Sequence, residues 1–247
     1  MTGRVLIIGA TSRIALETAR ALLDRGPRQF FLVGRDSERL EATASDLAVR
    51  GADGVGTYAM DLTEEALQLE MFDQARAQLG EIDVVLIAHG TLPDQVACES
   101  DPILTRAAFD TNCMSVIALL VPLANYFESR GAGVLAVVSS VAGERGRQSN
   151  YTYGAAKAAV TTYMEGLRNR LHGTGVRVVT IKPGMVDTPM TANLPKSTLL
   201  ADPARVGVAL ARTIDQPRDV VYVPGYWRGI MALIRAIPER VFKRLKL

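Results

Sequence analysis

Residues 134–157 read VLAVVSSVAGERGRQSNYTYGAAK, and this stretch decides the fold. It opens on an unbroken apolar run, Val134, Leu135, Ala136, Val137 and Val138, of the kind that forms a strand buried on both faces. Ser140 closes that strand. Tyr153 and Lys157 are four apart and share one face of a helix. A strand-end hydroxyl can then meet a phenol and an amine across a cleft, an arrangement suited to moving a proton on and off an oxygen. A free tyrosine titrates near pH ~10 and a free lysine near ~10.4. A lysine cation beside the phenol favours phenolate and is expected to lower the tyrosine pKa towards neutrality. Ser140 can hold a substrate oxygen by a hydrogen bond, and no cysteine, histidine or metal ligand is needed. Alone, the YxxxK spacing is equally compatible with a surface tyrosine and a solvated lysine, so the rest of the chain must decide.

Outward from that stretch, strand-like and helix-like segments alternate. Strands are expected at residues 4–8, 29–33, 54–59, 84–87, 134–138, 177–182 and 220–223. Helices are expected at 12–25, 37–50, 64–78, 104–129 with a kink at Pro122, 153–172 and 203–215. This alternation predicts an α/β fold: one doubly wound parallel sheet of about seven strands, covered on both faces. The chain has 247 residues, ample for one core, and no linker splits off a second domain. Residues 1–225 read as a dinucleotide-binding catalytic domain, and 226–247 as a basic amphipathic helical tail of the same domain. The loop at 187–202, which contains Pro and Gly at its approaches, reads as a flap at a site.

The net charge of +2 is too small to suggest a nucleic-acid partner, and no zinc-spaced cysteines occur. Cys98 and Cys113 give no disulfide framework, so a cytoplasmic location is expected. No signal-peptide pattern and no apolar run of ~20 residues is read from the sequence.

The first strand runs into Gly9-Ala10-Thr11-Ser12-Arg13-Ile14-Ala15, which opens a helix. That is where a dinucleotide pyrophosphate sits on backbone N–H groups, although an ordinary strand–helix turn is the alternative. The second strand ends Val33-Gly34-Arg35. A carboxylate there would favour NAD. Gly34 offers none, while Arg35, joined by Arg13, can pair with the 2′-phosphate of NADP(H), so NADP(H) is expected over NAD(H). Either arginine could instead be solvated. Asp61, with Leu62 beside it, is placed to accept a hydrogen bond from the adenine amino group; a helix N-cap is the alternative.

These motifs resemble the short-chain dehydrogenase/reductase family over essentially the whole chain. The glycine turn TGxxxGxG corresponds to Ile8 through Ala15, NAG to Ala88-His89-Gly90, and the helix-four asparagine to Asn112. SSxxG supplies Ser140, YxxxK supplies Tyr153 and Lys157, and PGxVxT corresponds to Pro183 through Thr188. The resemblance implies that Tyr153 is the acid/base and that Ser140 orients the carbonyl. Lys157 lowers the tyrosine pKa and binds the nicotinamide ribose, and Asn112 sustains a water-linked proton relay. It also implies a cofactor site built from Gly9, Thr11, Ser12, Arg13, Ile14, Arg35, Asp61, Leu62, Ala88, Gly90, Tyr153, Lys157, Pro183, Gly184, Val186 and Thr188, and assembly as a homodimer or homotetramer. Arg13 and Ala15 replace family glycines, and His89 replaces the asparagine as a structural substitute. Tyr151 is a rival phenol, but its i+4 neighbour is Ala155.

From Tyr226 the chain reads YWRGIMALIRAIPERVFKRLKL, an apolar stripe with Trp227 and Phe242 among basic residues, interrupted at Pro238. Such a tail can lie in a membrane interface at the inner face of the membrane, or pack on a second subunit. The tail and the Ala88 to Asp94 segment resemble decaprenylphosphoryl-keto-pentose reductases. A keto-sugar on a polyprenyl-phosphate lipid is therefore the expected substrate. A soluble or acyl-chain ketone, and a catalytically silent NADP(H)-binding scaffold, are the alternatives. Truncation after Gly225 is expected to leave the fold largely intact.

Overall fold

A computed structural model of the chain describes residues 3–192 and 198–245. Part of the expected 187–202 flap and of the tail, including Lys246, therefore lies outside the described residues. Seven parallel strands form one sheet in the order β3-β2-β1-β4-β5-β6-β7. They are β1 (Arg4–Ile8), β2 (Gln29–Gly34), β3 (Gly54–Ala59), β4 (Val84–Ile87), β5 (Gly133–Val138), β6 (Val176–Pro183) and β7 (Val220–Val223). Every strand expected from the apolar runs is present, within a residue or so at its ends.

Side chains alternate across the sheet, which gives two cores. Leu6, Ile8, Val85, Ile87 and Leu135 face α3 (Glu65–Leu79), α6 (Ser115–Arg130) and α7 (Tyr151–Arg170). Val5, Ile7, Leu32, Val84 and Ala136 face α1 (Arg13–Leu23), α2 (Ser37–Val49) and α8 (Pro203–Asp215). Burial on both sides explains why the strands read as continuous apolar runs rather than alternating ones.

The sequence-predicted helix 104–129 is three pieces. Pro102 opens α5 (Pro102–Phe109), with Asp101 Oδ1 accepting from Ile103 N at 2.8 Å. A π-turn, Asp110–Met114, then leads into α6. Pro122 sits inside α6, and the departure from α geometry falls earlier, in the π-turn. A short α4 (Gln95–Ser100), capped by Asp94, precedes them and was not legible as periodicity over so few residues. The sequence reading found no stretch of spanning length. Pro102–Arg130 corrects it, being 29 helical residues long and apolar enough to cross a membrane. Half of its apolar window is buried in the fold, where Val116, Leu120, Leu123 and Phe127 belong to the core.

The tail forms α9 (Trp227–Ala236) and α10 (Glu239–Phe242), separated at Ile237 and Pro238. It docks on its own chain, an arrangement outside the two expected from sequence. Trp227 and Met231 are buried with Val141, and Arg145 donates to the carbonyls of Ile234 and Ile237 at 2.6 Å each. The Arg145 guanidinium lies 3.7 Å from the Phe242 ring centroid.

Candidate active site

β1 lies between β2 and β4, so chain connections leave it in opposite directions and open a crevice at the strands' carboxyl ends. The turn after β1 and the Ala88-His89-Gly90 segment after β4 meet there. Gly9 has φ 83°, and a Cβ on it would stand 2.5 Å from His89 N, so only glycine fits. Arg13, in the second glycine position of the motif, begins α1. No non-glycine among the described residues has a positive φ, so the turn needs left-handed backbone only at Gly9. Ser12 is the N-cap but makes no side-chain cap, which leaves its hydroxyl at the helix N-terminus facing the cleft.

The cleft holds about 670 Å³. It is lined by all sixteen residues expected to bind cofactor, from Gly9 in the first turn to Thr188 after β6, and by Ser140. Arg13 pairs with Glu17 on its own helix at 2.8 Å. Arg35 is exposed, with its Nη1 3.9 Å from Asp61 Oδ2. Asp61 Oδ1 accepts from Thr63 N at 2.9 Å and Thr63 Oγ1 at 2.8 Å, and these bonds hold its pKa below the usual carboxylate range. These bonds close a local turn at Thr63 rather than cap α3, whose N-cap is Glu64, and the other Asp61 oxygen faces Arg35. Arg39 is a lining residue that sequence reasoning missed. Its Nη2 donates to the carbonyl of Thr11 at 3.0 Å, tying α2 to the phosphate turn.

Ser140, Tyr153 and Lys157 come together on one cleft, as the spacing implied. Ser140 follows β5, its Oγ accepting from Ala142 N at 3.1 Å, and it shares the cleft with Tyr153 in the first turn of α7. Lys157 is 3% exposed and donates from Nζ to the Val138 carbonyl at 3.1 Å. Its Nζ lies 5.8 Å from the Tyr153 ring centroid. A Cβ on Gly143 would meet the α7 backbone at Ala158 N, 2.7 Å away, so this glycine lets the Ser140 turn press against the helix. Tyr151 is 44% exposed and does not line the cleft.

One expectation is corrected. Burial pushes the Tyr153 phenol up to about 12, with Ser140 opposing, rather than down towards neutrality. Desolvation wins because no charge of Lys157 offsets it: the amine lies 5.8 Å from the ring centroid, donates to the Val138 carbonyl, and is itself lowered to about 8 by burial. The phenol is thus held as an acid. Asn112, in the π-turn, is fully buried and does not line the cleft. Its Oδ1 accepts from Thr91 N at 3.0 Å, and its Nδ2 donates to the Ala108 carbonyl at 2.9 Å. A Cβ on Gly90 would stand 2.7 Å from Asn112 Oδ1 and 3.4 Å from Lys157 Nζ, so Asn112 underlies the amine through Gly90.

His89 Nε2 is 2.9 Å from Ser115 Oγ, which itself donates to the Thr111 carbonyl at 2.9 Å. The imidazole must therefore donate through Nε2, leaving Nδ1 as a buried acceptor with no protein partner among the described residues. Burial, reinforced by the Lys157 cation, lowers its pKa to about 3, so it is neutral, in keeping with a structural role.

At the substrate end, Val186 bridges Ala201, and Asp187 N donates to Ala201 O at 2.9 Å. The root of the flap is thereby pinned. Trp227 packs against Gly184, a contact that no local sequence signal could have revealed.

A doubly wound sheet with a phosphate-type turn, a crevice at its switch point and a Ser–Tyr–Lys group define a dinucleotide-dependent oxidoreductase of the Rossmann class. Residues 3–198 match the short chain dehydrogenase family, and the chain belongs to it. It is 35% identical over 242 residues to an uncharacterized oxidoreductase of Streptomyces coelicolor, covering 98% of this chain and 95% of the relative. It is 34% identical over 241 residues to one of Mycobacterium tuberculosis, covering 98% and 96%. Among solved structures, a short chain dehydrogenase from Burkholderia cenocepacia in complex with NADP superposes with a TM-score of 0.82 at 24% identity, over 99% of this chain and 98% of that one. A variant of actinorhodin polyketide ketoreductase with NADPH superposes at 0.81 and 23% identity, over 92% and 97%.

Proposed function

We propose that this oxidoreductase reduces a carbonyl to an alcohol with NADP(H), Tyr153 delivering the proton. The observation that carries the reading is the convergence of Ser140, Tyr153 and Lys157 on one cleft. When bound, NADPH supplies the hydride. Ser140 then orients the carbonyl oxygen, and Tyr153 gives it the phenolic proton as charge develops there. The Lys157 cation, beneath the same face, stabilises the phenolate left behind and can reach a ribose hydroxyl. Asn112 positions Gly90 and Lys157 rather than touching substrate.

Preference for NADP(H) is supported by Arg35, which lies in the cleft with only a loose contact to Asp61, and by Arg39 beside it. A keto-sugar on a polyprenyl-phosphate lipid is the substrate that the tail and the Ala88 to Asp94 segment favour. Docking of the tail at the inner face of the membrane is supported by exposed Leu233, Val241 and Leu245 among Arg240, Lys243 and Arg244. Pairing of subunits through α5 and α6 is supported by exposed Ile103, Met114 and Val121 on that helical face. The test follows loss of NADPH absorbance with soluble ketones, acyl-chain ketones and lipid-linked keto-sugars. Turnover of the lipid-linked class above the others is expected. Turnover of none of them, by folded protein that binds NADPH, would favour a scaffold instead.

A further inference from the structure

The basic residues of the tail do not share one role. Arg228 and Arg235 lie two turns apart on the same side of α9, with Ala232 and Ala236 beside them. The other side of the helix carries Trp227 and Met231 into the core. Between the Arg/Ala side and the sheet edge lies a second cavity of about 680 Å³, bounded by β6, β7 and α7. No residue lines both this cavity and the cofactor cleft.

A buried polar group lies against this cavity. Lys182 Nζ is 2.8 Å from Glu144 Oε1, and these side chains are 7% and 3% exposed. The Tyr222 hydroxyl donates to the same carboxylate oxygen. Arg235 Nη1 stands 3.8 Å from Glu144 Oε2, beyond hydrogen-bond distance, and Oε2 accepts no hydrogen bond among the described residues. Among the described residues the Arg228 side chain has no hydrogen-bond or ion-pair partner. Both arginines line the cavity together with Tyr222. Lys182 and Glu144 neutralise each other. Against Arg228 and Arg235 the cavity wall sets one carboxylate, Glu165, so positive charge is in excess.

We propose that this cavity binds a phosphate group held between Arg228 and Arg235. Guanidinium forks match phosphate oxygens in pairs, and the two alanines leave room between the forks. Arg235 exchanges its loose contact with Glu144 Oε2 for the anion, while Lys182 and Tyr222 keep their hydrogen bonds to Oε1. The phosphate can belong to a soluble ester or to a lipid headgroup, since Leu233 and Val241 are 74% and 51% exposed on the neighbouring helical turns.

Trp227 adjoins Arg228 and is the chain's one tryptophan, so its fluorescence reports on the site. Full-length protein is titrated with inorganic phosphate at constant ionic strength, and in parallel with phosphatidylglycerol and phosphatidylcholine vesicles. A saturable change is expected, weakened about tenfold or more in Arg228→Ala and in Arg235→Ala and retained in Arg35→Ala. NADPH binding verifies folding of the two tail variants, and far-UV circular dichroism that of Arg35→Ala. An arginine-dependent response to phosphatidylglycerol but not to inorganic phosphate assigns the headgroup as the source. The reverse assigns a soluble phosphate, and either result upholds the site. No saturable response, a response unchanged in both tail variants, or one abolished by Arg35→Ala overturns it, the last by placing the phosphate in the cofactor cleft.

Discussion

The indole of Trp227 occupies the space that a β-carbon on Gly184 would need: such an atom would stand 1.8 Å from Nε1. Gly184 follows β6 and lines the cofactor cleft, while Trp227 opens α9. The tail therefore walls the active site from behind. Gly184→Ala is expected to cost about 1–3 kcal/mol by overpacking, and Trp227→Ala about 3–5 kcal/mol by leaving a cavity. Urea unfolding of both variants measures this. Truncation after Gly225, which the sequence reading treats as benign, should destabilise the fold at least as much as Trp227→Ala, because it also strips Met231 and Phe242.

The cofactor end makes a separate prediction. Arg35 is exposed and only 3.9 Å from Asp61, so a 2′-phosphate can take it over at little cost. Arg35→Ala should weaken NADPH binding about tenfold or more and leave NADH binding nearly unchanged. Arg39→Ala should weaken both, since it loosens the Thr11 turn shared by both cofactors. Fluorescence titration with each cofactor separates these outcomes, and equal affinity of the parent for the two would count against NADP(H) preference.

His89 predicts an acid lability. Its native pKa is lowered to about 3 from an ordinary 6.5, so the unfolded chain binds the extra proton between those values. The contribution is fully present above the unfolded value and is lost as pH falls through that window. His89→Asn should flatten the fall in urea midpoint on acidification. An unchanged slope would show that other groups govern it.

Lys157 sets the alkaline side. Its amine, lowered to about 8 by burial, loses its charge as pH rises past that value. Reductive kcat/KM should decline there, since the neutral amine no longer stabilises the Tyr153 phenolate. Stability moves the other way: the unfolded lysine still holds its proton up to 10.5, so native stability rises with pH between about 8 and 10.5. In Lys157→Met both trends should vanish.

The sheet was legible because its strands are buried on both faces and so read as uninterrupted apolar runs, Val134 to Val138 above all. The Tyr153–Lys157 pair was legible because a four-residue spacing fixes a helical face. Asn112 was recognisable by motif, but its burial under Gly90 depends on a π-turn that leaves no periodic trace. The direction of the tyrosine shift was not legible either. It is a balance between burial and a nearby charge, and burial exists only in three dimensions. An amphipathic tail shows that an apolar face exists without showing what covers it, and Trp227 and Met231 turn out to cover the chain's own Val141 and Gly184 region.

With Tyr153 as the proposed proton donor, the most direct measurement compares Tyr153→Phe with the parent in NADPH binding and in carbonyl reduction. The phenyl ring keeps the packing while removing the one proton that the half-buried phenol carries. NADPH affinity should be essentially unchanged, and turnover should fall by at least about 10²-fold. A folded Tyr153→Phe protein that still reduces its substrate at the parent rate would contradict the account.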